Sequence, residues 1–221
     1  MYPASACFVQ RFPQWFLLLF LATSVASLEL GQTLLNVVRD RFGDDAVQRL
    51  QQWEKIANSS HSIKESQKLE LVNRFFNRTR FISDFEHWGK EDYWATPVEL
   101  LATNGGDCED YSIAKYFTLK ELGVSVDKLK ITYVKALKLN QAHMVLAYYP
   151  EPGAEPLILD NLVNDIKPAS ERDDLVPVYS FNGEGLWLSK LRGQEGKRIG
   201  TPDKLDHWQD LMIRHNKLLP Q

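Results

Sequence analysis

The stretch TPVELLATNGGDCEDYSIAKYFTLKELG, residues 96 to 123, encodes two helices back to back, and the fold follows from what must surround them. Thr96 offers a capping hydroxyl, Pro97 suits the first helical position, and Glu99 completes a capping box, so a short helix begins here. It must end before Asn104-Gly105-Gly106, because consecutive glycines favour a turn and reach conformations closed to other residues. A second helix follows at once, with Asp107 as cap, Cys108 at the first position, Glu109 and Asp110 in the first turn, and Gly123 as its stop. Its apolar residues Tyr111, Ile113, Ala114, Tyr116, Phe117, Leu119 and Leu122 spread around much of the circumference, which predicts a central, buried helix.

Upstream the pattern is also helical. Asp45 can cap a helix whose stripe is Ala46, Val47, Leu50, Trp53 and Ile56, and Leu69, Val72, Phe75 and Phe76 mark another. Between residues 79 and 95 an irregular stretch carries Phe81, Phe85, Trp88, Tyr93 and Trp94, read as core packing in preference to the wall of a peptide groove. From Leu129 onward the signal changes. Segments at residues 131–136, 143–149, 156–161, 176–181 and 186–188 are short and rich in β-branched and aromatic residues. Thr201-Pro202 then opens a last amphipathic helix through Leu205, Trp208, Leu211 and Met212. Helices, antiparallel strands and a closing helix make an α+β protein with its N-terminal helices packed on an antiparallel sheet.

With 44% hydrophobic and 25% charged residues, the chain has the balance of a globular protein. Residues 1–26 read as an export signal: Arg11, an apolar run from Trp15 to Ala22, and a small-residue cleavage site at Ser24-Val25-Ala26. That run is too short to span a bilayer, which needs about 20 residues. Residues 27–221 are expected to form one domain, because no repeat or Pro/Gly/Ser-rich linker divides them. Removing Arg11 with the signal takes the net charge from -3 to -4, too mild to point to nucleic acid. Cys7 leaves with the signal, and Cys108 then stands alone in an exported protein. A lone thiol there is an intermolecular partner, an inert buried group, or a chemical one.

Its neighbours bear on that choice. The free amide hydrogens and dipole at a helix start favour the thiolate, the nucleophilic form. His143, at the start of a strand, is a candidate base. If the strands on either side turn about Glu151 and Pro152, His143 lies directly opposite Asp160; a turn shifted by one residue makes them diagonal neighbours on the same face. Asp160-Asn161 also reads simply as a strand end, since both residues favour turns. A nucleophile, a base and an orienting carboxylate would together meet the requirements of covalent catalysis.

Gly106-Asp107-Cys108-Glu109-Asp110-Tyr111, Ala114-Lys115-Tyr116, His143-Met144-Val145-Leu146 and Leu159-Asp160-Asn161 carry a family likeness. It extends to Trp88-Gly89, to residues 92–97 and to residues 177–182. The chain resembles the LapG-type periplasmic proteinases of the bacterial transglutaminase-like cysteine proteinase family. The resemblance implies a papain-like transglutaminase core, Cys108 as nucleophile, His143 as base and Asp160 as its orienter. It also implies a calcium ion held by carboxylates matching Asp107, Glu109 and Asp110. The implied substrate is the N-terminal region of a large repeat-containing surface adhesin, cut at a pair of small residues to release cells from a biofilm. The implied regulator is the periplasmic domain of an inner-membrane cyclic di-GMP receptor.

Calcium has a physical motive as well. Carboxylates flanking Cys108 oppose thiolate formation, and a bound dication would reverse that field. The competing reading is that acidic residues at a helix start merely complement its dipole. For the whole chain two other functions stay open: amide transfer through the same acyl-enzyme, and a non-catalytic binding module using the aromatics from Trp88 to Trp94.

Overall fold

A computed structural model describes residues 27–59, 62–188 and 196–219; the expected export signal lies outside them. Three helices lead: α1 (Gln32–Phe42), α2 (Asp44–Ser59) and α3 (Glu65–Phe76). Strand β1 (Arg80–Phe81), helices α4 (Asp84–Trp88) and α5 (Pro97–Thr103), strand β2 (Gly105–Gly106) and helix α6 (Cys108–Glu121) come next. The strands β3 (Leu129–Ala136), β4 (Gln141–Tyr148), β5 (Leu157–Leu159), β6 (Lys167–Pro168), β7 (Leu175–Phe181), β8 (Leu186–Leu188) and β9 (Lys197–Gly200) precede α7 (Asp206–Leu218). The last seven strands form one antiparallel sheet in the order β6-β5-β4-β3-β7-β8-β9.

Helix α6 is buried along its length, from Glu109 to Leu119, as its all-round apolar pattern requires. It packs on β3 and β4 and is backed by α2, α3 and α5. Polar side chains seal its joints. Trp53 Nε1 donates to Thr118 Oγ1 at 2.8 Å, and Lys68 Nζ reaches from α3 to the Leu122 carbonyl at 2.7 Å. Arg49 closes the end of α5 by donating to the carbonyls of Leu101 and Ala102. The lysine and arginine bonds satisfy carbonyls that a helix leaves open at its C-terminus. On the sheet's helix side Ile131, Met144, Leu146, Leu159 and Phe181 join the main core; on the other side Val134, Val145, Ala147, Ile158 and Leu175 form a smaller one.

The capping box of α5 is present, with Glu99 N donating to Thr96 Oγ1 and Thr96 N to Glu99 Oε2. The glycines after it act differently from the expectation. The left-handed residue is Asn104, at φ 53°, while Gly105 and Gly106 run extended and pair in parallel with Arg80 and Phe81. What requires glycine is closeness: a Cβ on Gly106 would lie 2.4 Å from Asp110 Oδ2 and 2.7 Å from Leu100 Cδ1.

Other boundaries move. Asp45 does not cap α2, because Gly43, at φ 82°, separates α1 from a helix already begun at Asp44. Thr201-Pro202 opens only a 3-10 turn, Pro202–Lys204; Leu205 is extended, and α7 starts at Asp206. Of the aromatic stretch, Trp94 is buried and stacks on Phe181 at 5.4 Å, but Phe81 and Phe85 are 58% and 75% exposed, so packing describes only part of it. Arg214 of α7 fastens that stretch by donating to the Trp94 carbonyl at 2.6 Å and to Glu99, with its guanidinium 4.4 Å from the Tyr93 ring.

Candidate active site

Cys108 is the first residue of α6, half-buried at the floor of a cleft of about 450 Å³ that His143 also lines. Trp94, Tyr133, Tyr179 and His207 build its walls. The thiol donates to Glu109 Oε2 at 3.0 Å, and the backbone N–H of Met144, the residue after His143, bonds the sulfur. Strand β4 thus sets its imidazole and an amide beside the head of α6 in two consecutive residues.

His143 is 3% exposed, and its Nε2 lies 2.8 Å from Asp160 Oδ1. With Nε2 engaged there, Nδ1 is the ring nitrogen left to serve the cleft. The pairing is diagonal, not directly opposed. The ladder sets Leu146 against Leu159 and Ala147 against Ile158, which shifts the turn by one residue from Glu151-Pro152 and puts Val145 level with Asp160. Asp160 follows the last paired residue of β5, and its side chain is fully buried.

Sequence reasoning missed what holds Asp160. Its Oδ1 also accepts from the Leu162 amide at 2.9 Å, and its Oδ2 accepts from Arg172 Nη2 at 2.7 Å. Burial by itself would raise this carboxyl; the His143 bond and charge, the Leu162 amide and Arg172 outweigh it and hold the pKa at about 2. Lys115, two turns after Cys108 on α6, is buried and pushed down to about 7, partly offset by the charge of Asp160. In sequence Arg172 sits within Glu171-Arg172-Asp173-Asp174, a charge run that reads as a solvated loop.

The carboxylates around Cys108 are in the opposite condition. Asp84, Asp92 and Glu109 carry oxygens within 4.8 Å of one another, and so do Asp84, Asp107 and Asp110. The structure therefore sets Asp107 and Asp110 in one group and Glu109 in another, joined through Asp84, and adds Asp84 and Asp92, to which the sequence reading gave no metal role. Burial first, then mutual repulsion, raises Asp107 to about 8 and Glu109 to about 7; burial also raises Asp84 to about 6 and Asp110 well above its ordinary value. Asp84 Oδ1 and Asp107 Oδ1 are buried without a hydrogen-bond partner among the described residues. Asp110 instead spends both oxygens on the backbone amides of Ala95 and Asp107, at 2.7 and 3.1 Å. Orphaned oxygens in a crowded, acid-only cluster fit a hard divalent cation.

The thiol behaves as the flanking carboxylates lead one to expect. Burial, then Glu109 and Asp107, pushes Cys108 well above an ordinary cysteine, so the helix start alone does not deliver a thiolate.

A family model described as bacterial transglutaminase-like cysteine proteinase matches residues 35–188, a span that includes Cys108, His143, Asp160 and Arg172. The chain belongs to that family. Among solved structures, this transglutaminase-like proteinase is similar to LapG of Legionella pneumophila, at 44% identity and a TM-score of 0.73, over 86% of this chain and 99% of that one. An EGTA-treated form of that protein gives the same identity and score, over 86% and 100%. A calcium-bound form gives 45% and 0.70, over 82% and 97%. No curated protein sequence matches the chain. Family and fold agree with the α+β, transglutaminase-like architecture expected from sequence.

Proposed function

We propose that this proteinase is a calcium-dependent, periplasmic endopeptidase whose triad is Cys108, His143 and Asp160. The observation that carries the reading is that His143, bonded to the buried Asp160, lines one cleft with Cys108 at the head of α6. Cys108 Sγ attacks the scissile carbonyl, and His143 accepts the thiol proton at Nδ1 and then delivers it to the leaving amine. Asp160 fixes the ring through Nε2 throughout. The backbone amides at the start of α6 are placed to receive negative charge on the carbonyl oxygen. Water then enters with His143 as base and releases the acid product.

The residues fit a calcium ion held by Asp84, Asp92, Asp107 and Glu109, with Asp110 bracing the Asp107 backbone. When bound, that ion supplies positive charge beside the sulfur and relieves the repulsion that disfavours the thiolate. The calcium-bound and EGTA-treated LapG structures support this part of the reading.

The likeness to LapG, together with the family resemblance of the sequence, supports the biological setting. The substrate is the N-terminal region of a large repeat-containing adhesin, cut to release cells from a biofilm. The regulator is the periplasmic domain of an inner-membrane cyclic di-GMP receptor. Export by residues 1–26 places the enzyme in the same compartment. The test is Cys108→Ala: cleavage of the adhesin fragment should fall by roughly 10^4-fold or more while circular dichroism and receptor binding stay at parent levels. Unchanged cleavage would reject the triad. Stable incorporation of a labelled primary amine in place of hydrolysis would shift the assignment to amide transfer.

A further inference from the structure

We propose that Arg172 is the positioning residue of the catalytic carboxylate, a guanidinium that locks Asp160 so that the imidazole of His143 keeps one orientation. The inference rests on the triad reading above and adds a fourth residue to it.

Two of the three guanidinium nitrogens of Arg172 are engaged by carboxylates, and the third, Nη1, is buried without a partner among the described residues. Arg172 is 3% exposed. Its Nη2 donates to Asp160 Oδ2 at 2.7 Å and to Asp174 Oδ2 at 2.9 Å, while its Nε donates to Asp174 Oδ1 at 2.9 Å. Both His143 and the Leu162 amide bond Oδ1 of Asp160, so without Arg172 the buried Oδ2 would have no partner here and the carboxylate would be held at one oxygen only. A group held at one atom can swing, and a small misplacement of a catalytic side chain is costly.

The fold delivers this arginine deliberately. Strand β6 pairs with β5, and the Ala169 amide donates to the Pro156 carbonyl at 3.0 Å, so the 3-10 turn Ala169–Glu171 is pinned against the start of β5. Arg172 ends that turn. The two-residue edge strand, which adds little to the sheet, thereby sets a cation beside the strand end that carries Asp160. Asp174 fixes the far edge of the guanidinium, and the planar fork makes both contacts at once, which an ammonium cannot imitate.

Two probes read the positioning without a peptide substrate, both in calcium-containing buffer at pH 7. One is the rate at which iodoacetamide alkylates Cys108, followed on its peptide by mass spectrometry. The other is the low-field proton resonance of the His143 Nε2–H, assigned by its loss in His143→Gln. Arg172→Gln should slow alkylation about 10-fold or more and broaden away the resonance, and Arg172→Lys should restore part of both. Asp174→Asn, which leaves Asp160 untouched, should slow alkylation about 2- to 3-fold. If Arg172→Gln fails to fold, the Lys and Asn variants decide, and parent behaviour in both overturns the proposal. Parent rate and resonance in a folded Arg172→Gln also overturn it. The triad reading fails separately, if His143→Gln alkylates at the parent rate.

Discussion

Two sets of buried carboxylates lie close to the same cleft in opposite electrical states. Asp160 is ringed by His143, the Leu162 amide and Arg172 and is held ionised at about 2. Asp84, Asp107, Glu109 and Asp110 are ringed largely by one another and are driven toward the protonated form. Burial raises the pKa in both places, so partners decide the outcome. One site has its counter-charge built into the chain, and the other calls for one from solution.

The contrast is broken most forcefully at Asp160. Replacing it by Ala leaves Arg172 with Asp174 alone and should cost about 3 kcal/mol in a urea melt, with adhesin cleavage down by roughly 10^4-fold. A cleavage rate within a few-fold of parent would mean that His143 needs no orienter.

Calcium comes next in size. Stripping it with EGTA should abolish cleavage, and adding it at about 100 times its Kd should stabilise the fold by about 2.7 kcal/mol, read as a rise in Tm. Equal melting with and without the ion would deny the cluster its cation.

The slope of stability with pH should differ in sign at the two sites. In EGTA the acidic cluster binds protons more tightly folded than unfolded, so its stability contribution is fullest below about pH 4 and is lost as pH rises through about 6 to 8. Calcium should flatten that decline. Asp160, with its lowered pKa, contributes stability above about pH 4 that disappears as pH falls through about 2. Chemical melts across this range check both slopes.

The smallest effect is the sharpest. Asp84→Asn removes one repelling charge and should stabilise the protein by about 1 kcal/mol in EGTA at pH 8, yet weaken calcium binding about 10-fold by calorimetry. Loss of stability in EGTA would show that Asp84 is not under repulsion.

Local chemistry made much of this legible in the sequence. The capping residues Thr96, Glu99 and Asp107 act within one helical turn, and the all-round apolar pattern of α6 dictates its burial, so both could be read from neighbours in the chain. The diagonal meeting of His143 and Asp160 depended on a turn register that sequence leaves open by one residue. The roles of Arg172, Asp84 and Asp92 were invisible because their partners are distant: Asp84 reads as an ordinary first-turn acid, Asp92 only opens one stretch of the family likeness, and Arg172 sits in a charge run. Only the sheet edge and the folded loop before α5 give them their roles. Gly105 and Gly106 were noticed for the wrong reason, since crowding by Asp110 and His87, not a positive φ, excludes larger residues there.

The tether from α7 has a consequence for the far end of the molecule. Arg214 grips the Trp94 carbonyl across a sequence separation of 120 residues, two positions from Asp92. The C-terminal helix is thereby a strut for the loop that carries Asp92. A nick or truncation that freed it should slacken that loop and quiet the enzyme from a distance, with Cys108, His143 and Asp160 left where they are.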